Sequence, residues 1–177
     1  MDLLVEQGEP ADYFYVIAQG HCEVVHQFAV SGKWQKVNEY GPGGTIGEDA
    51  LISNKPRNAS VRMTHSGAAM RLDGDDFRQL IKPYLARPLT TMEALTQIAD
   101  GAQWLDVRLP SEFKDGHLEG AINMPLIMLR ARLNTLDAQH RYICYCDSER
   151  RSSVAAFILR QNGISAGVLR GGYNREG

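Results

Sequence analysis

The 177-residue sequence is short of cysteine, of surplus charge and of long apolar runs, and each shortage removes a class of protein. Three unevenly spaced cysteines are an odd count that makes no disulfide framework, so they read as reduced thiols of a cytosolic chain. Nineteen basic and 21 acidic residues leave a formal net charge of −2, and the two signs are interspersed. There is accordingly no basic face for nucleic acid and no acidic tail. No apolar run approaches the length that spans a bilayer, and no basic-then-apolar leader opens the sequence. Internal repeats, low-complexity segments and heptad runs are absent too. The expectation is a soluble, cytoplasmic protein of small-molecule chemistry, with no membrane and no nucleic acid among its partners and its oligomeric state open. Both ends look abrupt, with Met1-Asp2-Leu3 leading almost at once into a strand and Gly171-Gly172-Tyr173 into a last loop, as in a trimmed piece of a longer protein.

What is present changes character near Pro88. Before it, residues 13–17, 22–28, 34–40 and 60–72 read as strands, with Gly8, Gly20, Gly32 and Gly41 to Gly44 as turns between them. Short strands at this spacing suggest an antiparallel barrel or jelly roll with short helices. Asp73 to Asp76 cap a helix carrying Phe77, Leu80, Ile81, Tyr84 and Leu85 on one face and running to about Arg87, with Pro83 as an irregularity. After Pro88, helices alternate with strands. Thr90 and Glu93 form a capping box for a helix bearing Met92, Leu95 and Ile98, and Gly101 ends it. Strands follow at 104–107, 121–123, 142–146 and 166–169, with helices opening at Ser111, Pro125 and Arg151; the Pro125 helix carries Leu126, Leu129, Leu133 and Leu136. This alternation calls for a mainly parallel α/β sheet. The reading is two domains, 1–87 and 88–177.

The most chemical stretch is Cys146-Asp147-Ser148-Glu149-Arg150-Arg151, between a strand and a helix. A free thiol has a pKa of about 8.5, so a reactive cysteine needs help to ionise. A turn of backbone N–H groups, a helix N-terminus and the charges of Arg150 and Arg151 supply that help and suit an anionic substrate equally. The plain alternative is that Cys146 only ends a buried strand, as Cys144 does. Asp106 and Arg108 read as a structural ion pair beneath the loop, and His117 as a turn-stabilising hydrogen bonder. Cys144, Cys146 and His140 lack a fourth partner for a metal, so no metal is expected.

The segment from Trp104 to Gly172 resembles a single rhodanese domain, through Leu105-Asp106-Val107-Arg108 with Glu112, Gly116 to Pro125, the Cys146 loop and Leu169-Arg170-Gly171-Gly172. The resemblance implies a rhodanese fold and a sulfurtransferase. Cys146 would take the outer sulfur of a donor such as thiosulfate, hold it as a persulfide and pass it to a thiophilic acceptor, with Arg151 as the second catalytic residue and no cofactor for the chemistry. Six residues from cysteine to arginine resemble the sulfur-transferring members, whereas related phosphatases and arsenate reductases use a wider loop. Glu149 departs from the pattern, because many such loops carry glycine there. A carboxylate beside a thiolate is unfavourable unless it is neutralised or faces solvent, and a side chain fits poorly where φ is positive. A module that carries sulfur, or does not catalyse at all, is the alternative.

In the first half, Gly47-Glu48-Asp49-Ala50 is followed by Arg57-Asn58-Ala59. An arginine suits a buried phosphate, a carboxylate suits a ribose hydroxyl, and a one-turn helix opening at Gly47 offers N–H groups. The same letters also describe an exposed ion pair in a loop. Together with Glu9 to Ile17, Gly20, Ile46 and Pro56 to Val61, the segment resembles a cyclic nucleotide-binding domain whose opening part is missing. That resemblance implies cAMP or cGMP as a regulatory, signalling ligand, with Glu48 on the ribose 2′-hydroxyl and Arg57 on the cyclic phosphate. Asn58, where a small residue is usual, leaves adenine and guanine both open.

Overall fold

The computed structural model describes residues 3–28 and 31–173, with the side chain of Lys82 excepted. The extreme ends that the sequence marks as abrupt, Met1-Asp2 and residues 174–177, lie outside the described residues. The chain divides into two compact units, Met1–Lys82 and Pro83–Gly177.

The first unit runs β1 (Leu3–Val5), β2 (Tyr13–Gln19), β3 (Cys22–Gln27), β4 (Trp34–Tyr40), β5 (Thr45–Ile46), α1 (Glu48–Ser53), β6 (Ser60–Met63), β7 (Ala68–Asp73) and α2 (Gly74–Ile81). The strands form two antiparallel sheets, ordered β1-β6-β3-β4 and β5-β2-β7. Val5, Ile17, Cys22, Ile46, Val61 and Met63, drawn from both sheets, share one core.

Two expectations need correction here. The single strand expected over 60–72 is two strands in different sheets, because the chain turns at Gly67, where a side chain would sit 2.2 Å from the Gln19 carbonyl oxygen. The helix expected to reach Arg87 stops at Ile81 and tightens into a 3-10 turn at Lys82–Tyr84. Pro83 has no N–H to continue the ladder. Only Phe77, stacked on Phe14 at 4.7 Å, and Ile81 are buried on the predicted face, while Leu80 and Tyr84 are exposed.

The second unit contains β8 (Pro88–Leu89), α3 (Thr91–Ala99), β9 (Gln103–Asp106), α4 (Pro110–Lys114), β10 (Ile122–Asn123), α5 (Leu126–Leu129), β11 (Tyr142–Tyr145), α6 (Arg150–Gln161) and β12 (Ala166–Leu169). A five-stranded parallel sheet orders them β10-β9-β11-β12-β8, consistent with the rhodanese fold that the sequence resembles. Pro88, read as a break, opens the edge strand β8, a position where a missing N–H removes no ladder bond. The capping box of α3 is present: Glu93 N–H donates to Thr90 Oγ1 and Thr90 N–H to Glu93 Oε2 at 2.7 Å. The face of α3 differs in part from the expected one, with Ile98 packed against the core as expected. Fully buried Ala94 packs with Leu89, Trp104, Ile143, Tyr145 and Leu169, whereas Met92 and Leu95 are exposed. The Pro125 helix keeps α geometry for only four residues and continues as a 3-10 helix, Arg130–Thr135.

Candidate functional site

All four residues of β11 are buried, and the strand delivers Cys146 into the loop ahead of α6 with its side chain wholly shielded. The Cys146 Sγ lies 3.5 Å from Ser152 Oγ, and the Ser152 hydroxyl donates to the Glu149 carbonyl at 3.0 Å. A hydroxyl has one proton, so with Ser152 so engaged the thiol is the donor to Ser152. After the thiol ionises, the same hydroxyl can turn to the sulfur. The adjoining turn closes over the loop: Tyr173 N–H donates to the Cys146 carbonyl at 2.6 Å. A side chain at Gly172, where φ is +75°, would meet that carbonyl oxygen at 2.3 Å.

Arg151 grips Glu112 with both ends, Nη1 to Oε2 at 2.7 Å and Nη2 to Oε1 at 2.8 Å, and Nη2 also meets Asp147 Oδ1 at 3.0 Å. Glu112 additionally accepts the Leu109 N–H at 2.8 Å, so one carboxylate ties the start of α4 to the loop. These bonds hold the Arg151 guanidinium above its ordinary value against the cost of burial, and hold the Glu112 carboxyl below its own. Burial alone would raise the Asp147 carboxyl, but bonds from Arg151 and Ser148 bring it below the usual range. Glu149 occupies the left-handed region at φ 66°, and its carboxylate accepts the Gly171 N–H. Arg150 and Ser148 are exposed.

Beneath the loop, Arg108 and Asp106 form the ion pair suggested by their sequence, buried and bidentate, with Nη2 to Oδ2 at 2.6 Å. The guanidinium also lies 4.3 Å from the Tyr173 ring centre. His117 donates from Nδ1 to the Phe113 carbonyl at 2.9 Å. Cys144 is buried in the sheet, and burial pushes its thiol well above the usual value. His140 pairs with Asp137 at 3.0 Å, and among the described residues no three His, Cys, Asp or Glu side chains gather as a metal site.

In the first unit, Gly47 adopts φ 98° and precedes α1. Arg57 is buried, and its Nη1 and Nη2 donate to the carbonyls of Gly47 at 3.1 Å and Tyr13 at 2.6 Å. Burial lowers its pKa, and it makes no ion pair among the described residues. Glu48 is buried and receives the Thr45 hydroxyl at 3.3 Å. Asp49 accepts from Asn58 Nδ2 at 3.2 Å, while its other oxygen is buried without a partner. Burial pushes the Asp49 carboxyl up to about 6, with the Asn58 bond opposing. Ala50 and Ala59 are buried core residues.

Thus Arg57 is anchored on the Gly47 carbonyl at the start of α1, next in sequence to Glu48, and Cys146 to Arg151 form the loop between β11 and the first turn of α6. Sequence reasoning did not include Ser152, Thr45 or the Tyr13 carbonyl in either site. Ser152 was within reach, since a residue immediately after Arg151 on a helix start faces back toward the loop; the Tyr13 carbonyl, 44 residues from Arg57, was not.

A family model for the cyclic nucleotide-binding domain matches residues 1–84, and one for the rhodanese-like domain matches residues 90–175. The chain therefore carries a cyclic nucleotide-binding domain followed by a rhodanese-like domain. It is 42% identical over 77 residues to the uncharacterized protein YqhL of Bacillus subtilis (strain 168), covering 43% of this chain and 61% of that one. It is 33% identical over 96 residues to a cAMP-dependent protein kinase regulatory subunit of Blastocladiella emersonii, covering 54% of this chain and 24% of that one. The chain thus spans less than two thirds of these relatives. Among solved structures, the regulatory domain of Toxoplasma gondii PKA with cAMP aligns at 31% identity and a TM-score of 0.41, covering 45% of this chain and 30% of that one. No helix among the described residues is long and apolar enough to cross a membrane.

Proposed function

We propose that this protein is a rhodanese-type sulfurtransferase carrying sulfane sulfur on Cys146, regulated by a cyclic nucleotide bound in its first domain. The six-residue loop from Cys146 to Arg151 carries the reading, because it sets a thiol between the end of β11 and the first turn of α6, whose N–H groups lack intrahelical acceptors. The Cys146 thiolate attacks the outer sulfur of a donor, of which thiosulfate is the simplest. The donor's S–S bond breaks, sulfite leaves with its electron pair, and the enzyme holds a persulfide. A thiophilic acceptor then takes the outer sulfur, and Sγ departs as thiolate. Ser152 steadies that thiolate. Because Cys146 is fully shielded, donor entry requires the loop or the facing Gly171–Tyr173 turn to move.

For the nucleotide, Arg57 supports phosphate binding: it is a buried cation with two N–H groups held by carbonyls and the rest available. Glu48 suits a ribose hydroxyl. Gly47, Asp49, Ala50, Asn58 and Ala59 frame the pair, and the kinship with a cAMP-dependent kinase subunit makes cAMP the first ligand to try, with cGMP beside it.

Intact-protein mass measured after donor treatment tests the chemistry. One sulfur atom is expected on Cys146, released as thiocyanate by cyanide and absent in Cys146→Ser; no added sulfur from any donor overturns it. Complete burial of Cys146 favours a second reading, a nucleotide-binding protein whose rhodanese module carries no turnover. Calorimetric binding of cAMP or cGMP that is lost in Arg57→Ala, with no persulfide formed, would establish that alternative.

A further inference from the structure

We propose that the sulfur donor is a thiol persulfide of low charge rather than a dianion such as thiosulfate, an inference that rests on the sulfurtransferase reading of Cys146. The balance of charge around the sulfur carries it. Three carboxylates, Glu112, Asp147 and Glu149, stand in or bond to the loop and its facing turn, against two guanidiniums, Arg150 and Arg151. Arg151 is committed to carboxylates through both terminal nitrogens; Arg150 and Asp147 are both exposed, where water and salt screen their charges, which leaves Glu112 and Glu149 against Arg151. The Arg108 charge is answered by Asp106, and Arg170, like Arg150, is exposed. Ionised Cys146 then adds a further negative charge.

Glu149 makes this balance a built feature. A non-glycine residue in the left-handed region is uncommon, and here the carboxylate anchors itself on the Gly171 N–H. A negative charge is thereby fixed where the loop meets its closing turn. Of its five N–H groups Arg151 retains a buried Nε–H with no partner and one N–H of Nη1, fewer donors than the three oxygens of a sulfonate would take up.

A thiol persulfide satisfies these constraints. The Cys146 thiolate attacks the terminal sulfur of R–S–SH, the S–S bond breaks, and R–S⁻ leaves with the electron pair. The proton stays on the transferred sulfur and then passes to R–S⁻, so neither oxidant nor reductant is needed.

The test is the rate of sulfur loading on Cys146 in the full chain, followed by intact mass after rapid mixing with thiosulfate or with cysteine persulfide. Each rate is normalised to the same donor's reaction with a small free thiol. Normalised loading from cysteine persulfide is expected to exceed that from thiosulfate by about tenfold at low salt. Added salt should narrow the gap, and Glu149→Gln or Glu149→Gly should narrow it about threefold by raising the thiosulfate rate. Equal normalised rates in the native protein, or a gap indifferent to salt and to both substitutions, would overturn the assignment. Loading from neither donor would overturn the sulfurtransferase reading itself, and this inference with it.

Discussion

Ser152 illustrates how one hydroxyl sets the state of a thiol. It lies 3.5 Å from the Cys146 sulfur and has a backbone acceptor to release when the thiolate forms. A hydrogen bond of this kind contributes about 1 kcal/mol. Ser152→Ala should therefore slow sulfur loading on Cys146 about fivefold near neutral pH, as followed by intact mass after rapid mixing with donor. Asp49 makes a prediction of opposite chemistry. Its folded pKa is raised by burial to about 6, above the ordinary aspartate value of 3.8, so the folded state holds the proton more tightly than the unfolded one. The resulting stability is present at low pH and is lost as pH rises from about 4 through about 6, on the order of 3 kcal/mol in all. Urea unfolding of the native protein and Asp49→Asn between pH 4 and 8 should show this slope only in the former. Residue types in the two motifs were legible in the sequence, but the proton affinity of Asp49 depends on how completely its second oxygen is covered.

Between elements, close backbone approach does the positioning. Gly172→Ala would place a carbon 2.3 Å from the Cys146 carbonyl oxygen at a φ of +75°, so the turn facing the loop must shift. A loss of about 2 kcal/mol or more in urea unfolding is expected, with the second domain affected. Gly47→Ala meets Arg57 Nη1 at 2.3 Å in the same way, and calorimetry should find cyclic nucleotide affinity reduced about tenfold or more. Element identity was largely readable from periodicity and caps, as the Thr90 box and the strand at Ala166–Leu169 demonstrate. Faces were less readable. Met92, Leu95 and Ile98 mark an apolar stripe on α3, yet of these only Ile98 packs against the core, and the small Ala94 is what buries completely, because a short side chain permits the closest approach.

For the whole molecule, the proposed regulation is a coupling free energy between a nucleotide in one domain and sulfur transfer in the other. Saturating cAMP or cGMP is expected to change the rate of persulfide turnover, and Arg57→Ala to remove that response while leaving Cys146 loading measurable. A rate unchanged by either nucleotide, with protease sensitivity between the two units also unchanged, would exclude coupling. The change from an antiparallel half to an alternating helix-strand half, and the loop at Cys146, were determined by the sequence alone, because capping, glycine turns and a switch of hydrophobic period are local signals that need no distant partner. Only the tertiary structure decided that residues 60–72 split between two sheets, that Pro88 joins a parallel edge, and that Arg151 spends its charge on Glu112, 39 residues away. Such pairings depend on which surfaces packing brings together, and local pattern does not encode the partner.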